Sequence, residues 1–117
     1  MNGNGIDNID VEALVSMLEN DSDGVMLVDV RGAGETAQGI IRGARLLPLH
    51  LVPMNVDRFR GPERKVLYCH SGARSAQACH FLARQGVAGL GNLEGGIMAW
   101  VMEGQRLVPP DPGASLV

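Results

Sequence analysis

The chain is poor in cysteine, in positive charge and in long apolar runs, and each shortage excludes a class of protein. Two cysteines among 117 residues, Cys69 and Cys79, cannot build a disulfide scaffold. Ten Lys and Arg residues against thirteen Asp and Glu leave a formal net charge of -3. No basic stripe is there to hold a phosphate backbone, so nucleic acid is not an expected partner. No stretch of apolar residues is long enough to span a bilayer, so no membrane association is expected. The opening MNGNGIDNID has neither a basic region nor an apolar stretch and does not read as a secretory signal. A reducing, cytoplasmic location is the expectation that follows. The chain also lacks a CxxC pair. Cys69-His70 and Cys79-His80 stand ten residues apart, a poor match to any zinc spacing, so no metal site is expected.

What remains is an ordinary globular composition, 45% hydrophobic, at the usual length of one domain. Residues 1–5 read as a frayed N-terminus, 6–106 as the domain, and 107–117 (LVPPDPGASLV) as a flexible, proline-rich tail. No repeat, low-complexity segment or internal boundary interrupts the domain. Asp10 can cap a helix over 11–20, with Val11, Leu14, Val15 and Leu18 on one stripe. VMLVDV (25–30) is almost continuously apolar, the pattern of a strand buried on both faces of a parallel sheet. Further strands are expected at 44–47, 65–69 (KVLYC) and 88–93. An irregular helix is expected at 50–59, a strong one at 75–85 and a short last one at 97–103. The alternation predicts an α/β fold, a mostly parallel sheet with helices on both faces. In such folds sites lie beyond the carboxyl ends of strands, where Cys69, Asp29 and Arg31 stand.

Cys69 ends a strand and a helix begins near Arg74 or Ser75. The intervening His70, Ser71, Gly72 and Ala73 form a loop short enough to curl its amides around the sulfur. Gly72 supplies the backbone freedom this needs. The free N–H groups and dipole of the following helix add to the effect. Both favour a thiolate, so Cys69 reads as a nucleophile rather than as a small buried hydrophobe. Cys79, in phase with Ala78 and Leu82, reads as core packing; a resolving thiol for Cys69 is the alternative. Arg74, a cation at a helix start, calls for a carboxylate, and Asp29 or Glu35 could answer it. Without that role Asp29 would cap a turn, and Arg31 and Glu35 would be solvated surface groups. Gly95-Gly96 reads as a sharp turn, and Trp100 as a cover for the core.

LVDVRGAGE (27–35), GIIRGARLLP (39–48), YCHSGARSAQA (68–78) and NLEGGIMAW (92–100) occur in this order across nearly the whole chain. In these pieces the sequence resembles the single-domain rhodaneses, the thiosulfate or sulfane-sulfur transferases. The resemblance implies a small α/β domain with a five-stranded parallel sheet. It further implies that Cys69 takes a sulfane sulfur from a small anionic donor, holds it as a persulfide and yields it to a thiophilic acceptor, such as a thiol or a protein cysteine. The loop from Cys69 through Arg74 would cradle the persulfide, with Asp29, Arg31 and Glu35 around or beneath it. No cofactor is implied. Thr36 and Ile40 stand where the family often has tyrosine and histidine, a departure in the flanking turn. Two other functions compete. A cysteine-loop phosphatase or arsenate reductase would use the same thiolate, but four residues between Cys69 and Arg74 make a ring tight for a tetrahedral oxyanion. A non-enzymatic binding module would have no need of the cysteine, which this chain keeps, whereas a role as a sulfur carrier between proteins is compatible with sulfur transfer.

Overall fold

A computed structural model describes residues 5–117; of the expected frayed terminus, residues 1–4 lie outside the described residues. The five strands are β1 (Ile6–Ile9), β2 (Val25–Asp29), β3 (Arg45–Leu46), β4 (Arg64–Tyr68) and β5 (Leu90–Leu93). They lie in the order β1-β5-β4-β2-β3, and every pairing is parallel. β4 is therefore central and covered on both faces, which is why its Val66, Leu67 and Tyr68 are apolar without a break and fully buried. β1 was not among the strands expected. Its IDNI has too few apolar residues to announce itself, and it exists by pairing with β5, Ile6 against Leu90 and Ile9 against Leu93.

The helices are α1 (Val11–Asn20), α2 (Ala33–Thr36), α3 (Ala73–Arg84) and α4 (Gly96–Met102). Asp10 caps α1 as expected, its carboxylate accepting the Ala13 N–H at 2.8 Å. The irregular helix is a 3₁₀ segment, Leu49–Phe59, bent at Asn55 and carrying Pro53 inside. Alternate strand residues face opposite ways and so build two core layers. Val28, Leu67 and Cys69 pack with Val52 and Phe59 of the 3₁₀ segment and with Ala78, Cys79 and Leu82 of α3. Leu27, Val66 and Tyr68 pack with Val11 and Leu14 of α1 and Ile97 and Trp100 of α4. Trp100 is buried, its indole N–H donating to the Arg106 carbonyl.

The tail, residues 107–117, meets the domain at three points. Val108 pairs with Ile40, Leu116 donates to the Leu46 carbonyl at 2.9 Å, and Arg45 Nε donates to the Ala114 carbonyl. Ala114 and Leu116 are buried. The short β3 leaves backbone groups open beyond β2, and the tail fills them, with prolines only where no ladder bond is needed. No helix among the described residues is long and apolar enough to cross a membrane.

Candidate active site

The site forms where the carboxyl ends of β2, β4 and β5 meet the start of α3. Cys69 follows β4 and is almost wholly buried at 1% exposure. Gly72 adopts φ of +105°, which reverses the chain and aims the following amides back at the sulfur. The Gly72 N–H donates to Cys69 Sγ at 3.1 Å and the Ser75 N–H at 3.4 Å; Ser75 Oγ lies 3.5 Å away. Burial alone pushes the thiol up. The Ser75 hydroxyl and the amides of Ser75, Gly72 and Ser71 together outweigh it, and the Cys69 pKa falls below its ordinary value. His70, Ser71 and Gly72 form the turn between β4 and α3, and Ala73 and Arg74, expected in the loop, open the helix instead.

Ser75 and Asn92 were not among the expected site residues. Both are buried. Asn92 reaches in from β5, accepts from Ser75 Oγ at 2.5 Å and donates to the Gly72 carbonyl at 3.2 Å. It thus ties the loop to the next strand. The single Ser75 hydroxyl proton has Asn92 Oδ1, the Gly72 carbonyl and Sγ within range and serves one at a time. Negative charge on the sulfur draws that proton toward it. A polar residue inside the otherwise apolar, glycine-diluted strand of β5 was the available signal for Asn92.

Gly96 is more than a turn residue. Its φ is +60°, and a Cβ there would meet the carbonyl oxygens of His70 and Cys69 at 2.5 and 2.6 Å. That close approach lets Ile97 N–H bond the Cys69 carbonyl at 2.9 Å and Met98 N–H the His70 carbonyl at 3.0 Å. With its carbonyls held from behind, the loop has its amides free to face the sulfur.

The four charges form two separate pairs. Arg31 is buried and forks onto Asp29, Nε to Oδ1 at 3.0 Å and Nη2 to Oδ2 at 2.7 Å; Nη2 also donates to the Gly39 carbonyl. Arg31 and Asp29 are therefore neither solvated nor available to Arg74. Burial lowers the Arg31 pKa, Asp29 raises it, and the net direction is up. Arg74 instead forks onto Glu35 at 2.7 and 2.8 Å. The Arg74 guanidinium holds the Glu35 carboxyl down to about 2, against some loss from burial and with help from the Gly32 amide. Of the two partners open to Arg74, Glu35 is the one, because Asp29 is held within two residues by Arg31. Cys79 sits in the same core layer as Cys69 with the Gly91 carbonyl 3.5 Å from its sulfur, and burial pushes its thiol up to about 12. Both cysteines are free thiols. Among the described residues no group of three or more His, Cys, Asp or Glu could hold a metal ion.

Fold and site together define a cysteine-loop α/β domain, with a buried cysteine sulfur that accepts the Gly72 and Ser75 amides at the end of a central parallel strand. The family model for the rhodanese-like domain matches residues 10–103, and the chain belongs to that family. It is 43% identical over 106 residues to a sulfurtransferase of Allochromatium vinosum, covering 91% of this chain and 98% of that one. It is 30% identical over 77 residues to the thiosulfate sulfurtransferase GlpE of Stutzerimonas stutzeri, covering 66% of this chain and 71% of the relative. The crystal structure of a rhodanese-like domain protein from Staphylococcus aureus superposes with a TM-score of 0.78 at 34% identity, over 90% of this chain and 99% of that one. This kinship supports an enzymatic, sulfur-transfer role in general terms.

Proposed function

We propose that the chain is a sulfurtransferase that carries a sulfane sulfur as a persulfide on Cys69. The observation that carries the reading is the convergence of the Gly72 and Ser75 amides and the Ser75 hydroxyl on one buried sulfur. The Cys69 thiolate attacks the outer sulfur of thiosulfate or a similar donor. The donor's S–S bond breaks and its electron pair leaves on sulfite or a thiolate. A thiophilic acceptor, a small thiol or a protein cysteine, then attacks the outer sulfur and regenerates Cys69. This is covalent catalysis in two half-reactions with ping-pong kinetics. The ring of amides stabilises negative charge on sulfur at each stage, and the steps require no proton from His70 and no cofactor. A reducing, cytoplasmic setting suits a reaction that depends on Cys69 remaining a thiolate.

A phosphatase reading has less support. The Arg74 guanidinium is committed to Glu35, so it is not free to embrace a phosphoryl group. A pure binding role leaves the amide-ringed thiolate without a use. The test is intact-protein mass after treatment with sulfane donors. One sulfur, roughly 32 Da, should add to the wild type, vanish with reductant and be absent in Cys69→Ser. An unchanged mass with thiosulfate and with organic persulfides alike would end the proposal.

A further inference from the structure

Resting on the sulfur-transfer reading, we infer that the Ser75 hydroxyl promotes the release of sulfur, by donating to Cys69 Sγ as the outer sulfur departs, and that Asn92 is the positioning residue that holds this hydroxyl while Cys69 is loaded. The first observation is the choice of partners open to the hydroxyl. Ser75 Oγ lies 2.5 Å from Asn92 Oδ1, 3.3 Å from the Gly72 carbonyl oxygen and 3.5 Å from Cys69 Sγ. Its one proton serves one of them at a time. The Gly72 and Ser75 amides also donate to Sγ, but they are fixed in the backbone. The hydroxyl turns about its Cβ–Oγ bond, so of these donors it alone can follow a change of charge.

The second observation is how Asn92 is held. Its Nδ2 donates to the Gly72 carbonyl at 3.2 Å, and a carbonyl only accepts, so the side-chain amide is oriented with Oδ1 toward Ser75. Oδ1 also only accepts, so the Ser75 hydroxyl is the donor in their contact. Ser75 is 0% and Asn92 8% exposed, which shields the pair from bulk water.

The chemistry follows from where the negative charge lies. In loading, the Cys69 thiolate attacks the outer sulfur of a donor R–S–SH. An Sγ–S bond forms, the donor's S–S bond breaks, and its electron pair leaves on R–S⁻. The inner sulfur of the Cys69 persulfide is then neutral and divalent, as weak an acceptor as a thioether, and the hydroxyl turns to Asn92. In release, an acceptor thiolate attacks the outer sulfur, the Sγ–S bond breaks, and its electron pair returns to Sγ. Hydrogen bonds to a charged acceptor are roughly twice as strong as neutral ones, so the hydroxyl turns from Asn92 to Sγ as that charge arrives. One negative charge stands on each side of either step, and no proton is transferred. The hydroxyl thus stabilises the free thiolate relative to the persulfide.

The experiment uses the persulfide of 2-mercaptoethanol as donor and 2-mercaptoethanol as acceptor, so that loading and release are one reaction run in two directions. Rates and the equilibrium ratio of loaded to free Cys69 are read by intact-protein mass, above the alkylation midpoint of every variant, where all free Cys69 is thiolate. The charged groups beside the loop, His70 and the pairs Arg31–Asp29 and Arg74–Glu35, are common to all variants. Ser75→Ala should raise the alkylation midpoint by about one pH unit and the loaded-to-free ratio about tenfold, with release about threefold slower and loading about threefold faster. Ser75→Thr, which returns a hydroxyl, should move all of these back toward wild type. Asn92→Ala, or Asn92→Leu should the first fail to fold, should lower the loaded-to-free ratio about threefold, because the loaded state loses the partner of its hydroxyl. In the Ser75→Ala background the same substitution should leave the ratio unchanged. Equal slowing of both directions in Ser75→Ala, or an Asn92 effect that persists without the hydroxyl, would overturn the inference and leave sulfur transfer standing. No loading of the wild type from the persulfide or from thiosulfate would remove sulfur transfer and this inference together.

Discussion

Cys69 and Cys79 lie in one core layer, 1% and 0% exposed, yet their thiols move in opposite directions. Burial pushes both up. At Cys79 nothing answers it, because the residue sits mid-helix, where the backbone N–H groups are already spent on helical bonds. At Cys69 the chain has just left β4 and has not yet closed the first turn of α3. The unspent amides of that turn, with the Ser75 hydroxyl, point at the sulfur. Depth therefore does not decide which way a thiol's pKa moves in this molecule; the supply of unpaired donors does.

The sharpest way to break the contrast is chemical labelling. In the native protein Cys69 should take one alkyl group and Cys79 none, with a second added only on denaturation. The rate should rise with pH through a midpoint below the free-thiol value of about 8.5, because the reactive species is the thiolate and its pKa is lowered. Cys69→Ser should take none while folded. Native labelling of Cys79 at a comparable rate would erase the distinction.

Gly96→Ala should come next. The added methyl group would collide with the Cys69 and His70 carbonyls, and the backbone cannot hold φ of +60° without strain. The loop should shift, the Cys69 pKa rise and sulfur loading slow by about 100-fold, with about 1–3 kcal/mol lost in denaturant unfolding. Loading at the wild-type rate would mean that α4 does not brace the loop.

Arg74→Ala should have a smaller effect, slowing loading about tenfold and raising the midpoint of Cys69 alkylation, since both positive charge and the tie to Glu35 are lost. Arg74→Lys should restore charge but not the fork, and so only part of the rate. The pair should also survive mild acid. Glu35 has a folded pKa near 2, below its unfolded value, so its contribution is present above the unfolded pKa and disappears as pH falls through about 2. Equal rates and alkylation midpoints in all three proteins would make Arg74 surface decoration.

Cys79→Ala should change the chemistry least. Loading and release of sulfur should stay near wild type, while deletion of a buried sulfur costs about 1–2 kcal/mol, read by denaturant unfolding. A folded variant that loads sulfur but cannot release it would make Cys79 the resolving thiol after all.

Much of this was readable in one dimension. The buried parallel strands, the helix phases and the C-x4-R loop are local patterns, and local patterns carry the period of the structure they form. The partner of Arg74 was not readable. Asp29 and Glu35 were equal candidates until the fork between Asp29 and Arg31 removed one of them. Nor were β1 and the tail. Each is held by pairing with distant backbone, β1 with β5 and the tail with Leu46 and Ile40, and neither has an uninterrupted run long enough to signal its place.

By itself the amino-acid order determined that a cysteine would stand at the end of a buried strand, before a glycine-bearing loop and a helix start, because strand, turn and helix preferences act over a few neighbouring residues. Only the tertiary structure decided what surrounds that sulfur. Asn92 from β5 and Gly96 from α4 reach the loop from twenty or more residues away. Hydrogen bonds of this range depend on which strands lie side by side, and that is settled by packing the two core layers against the sheet.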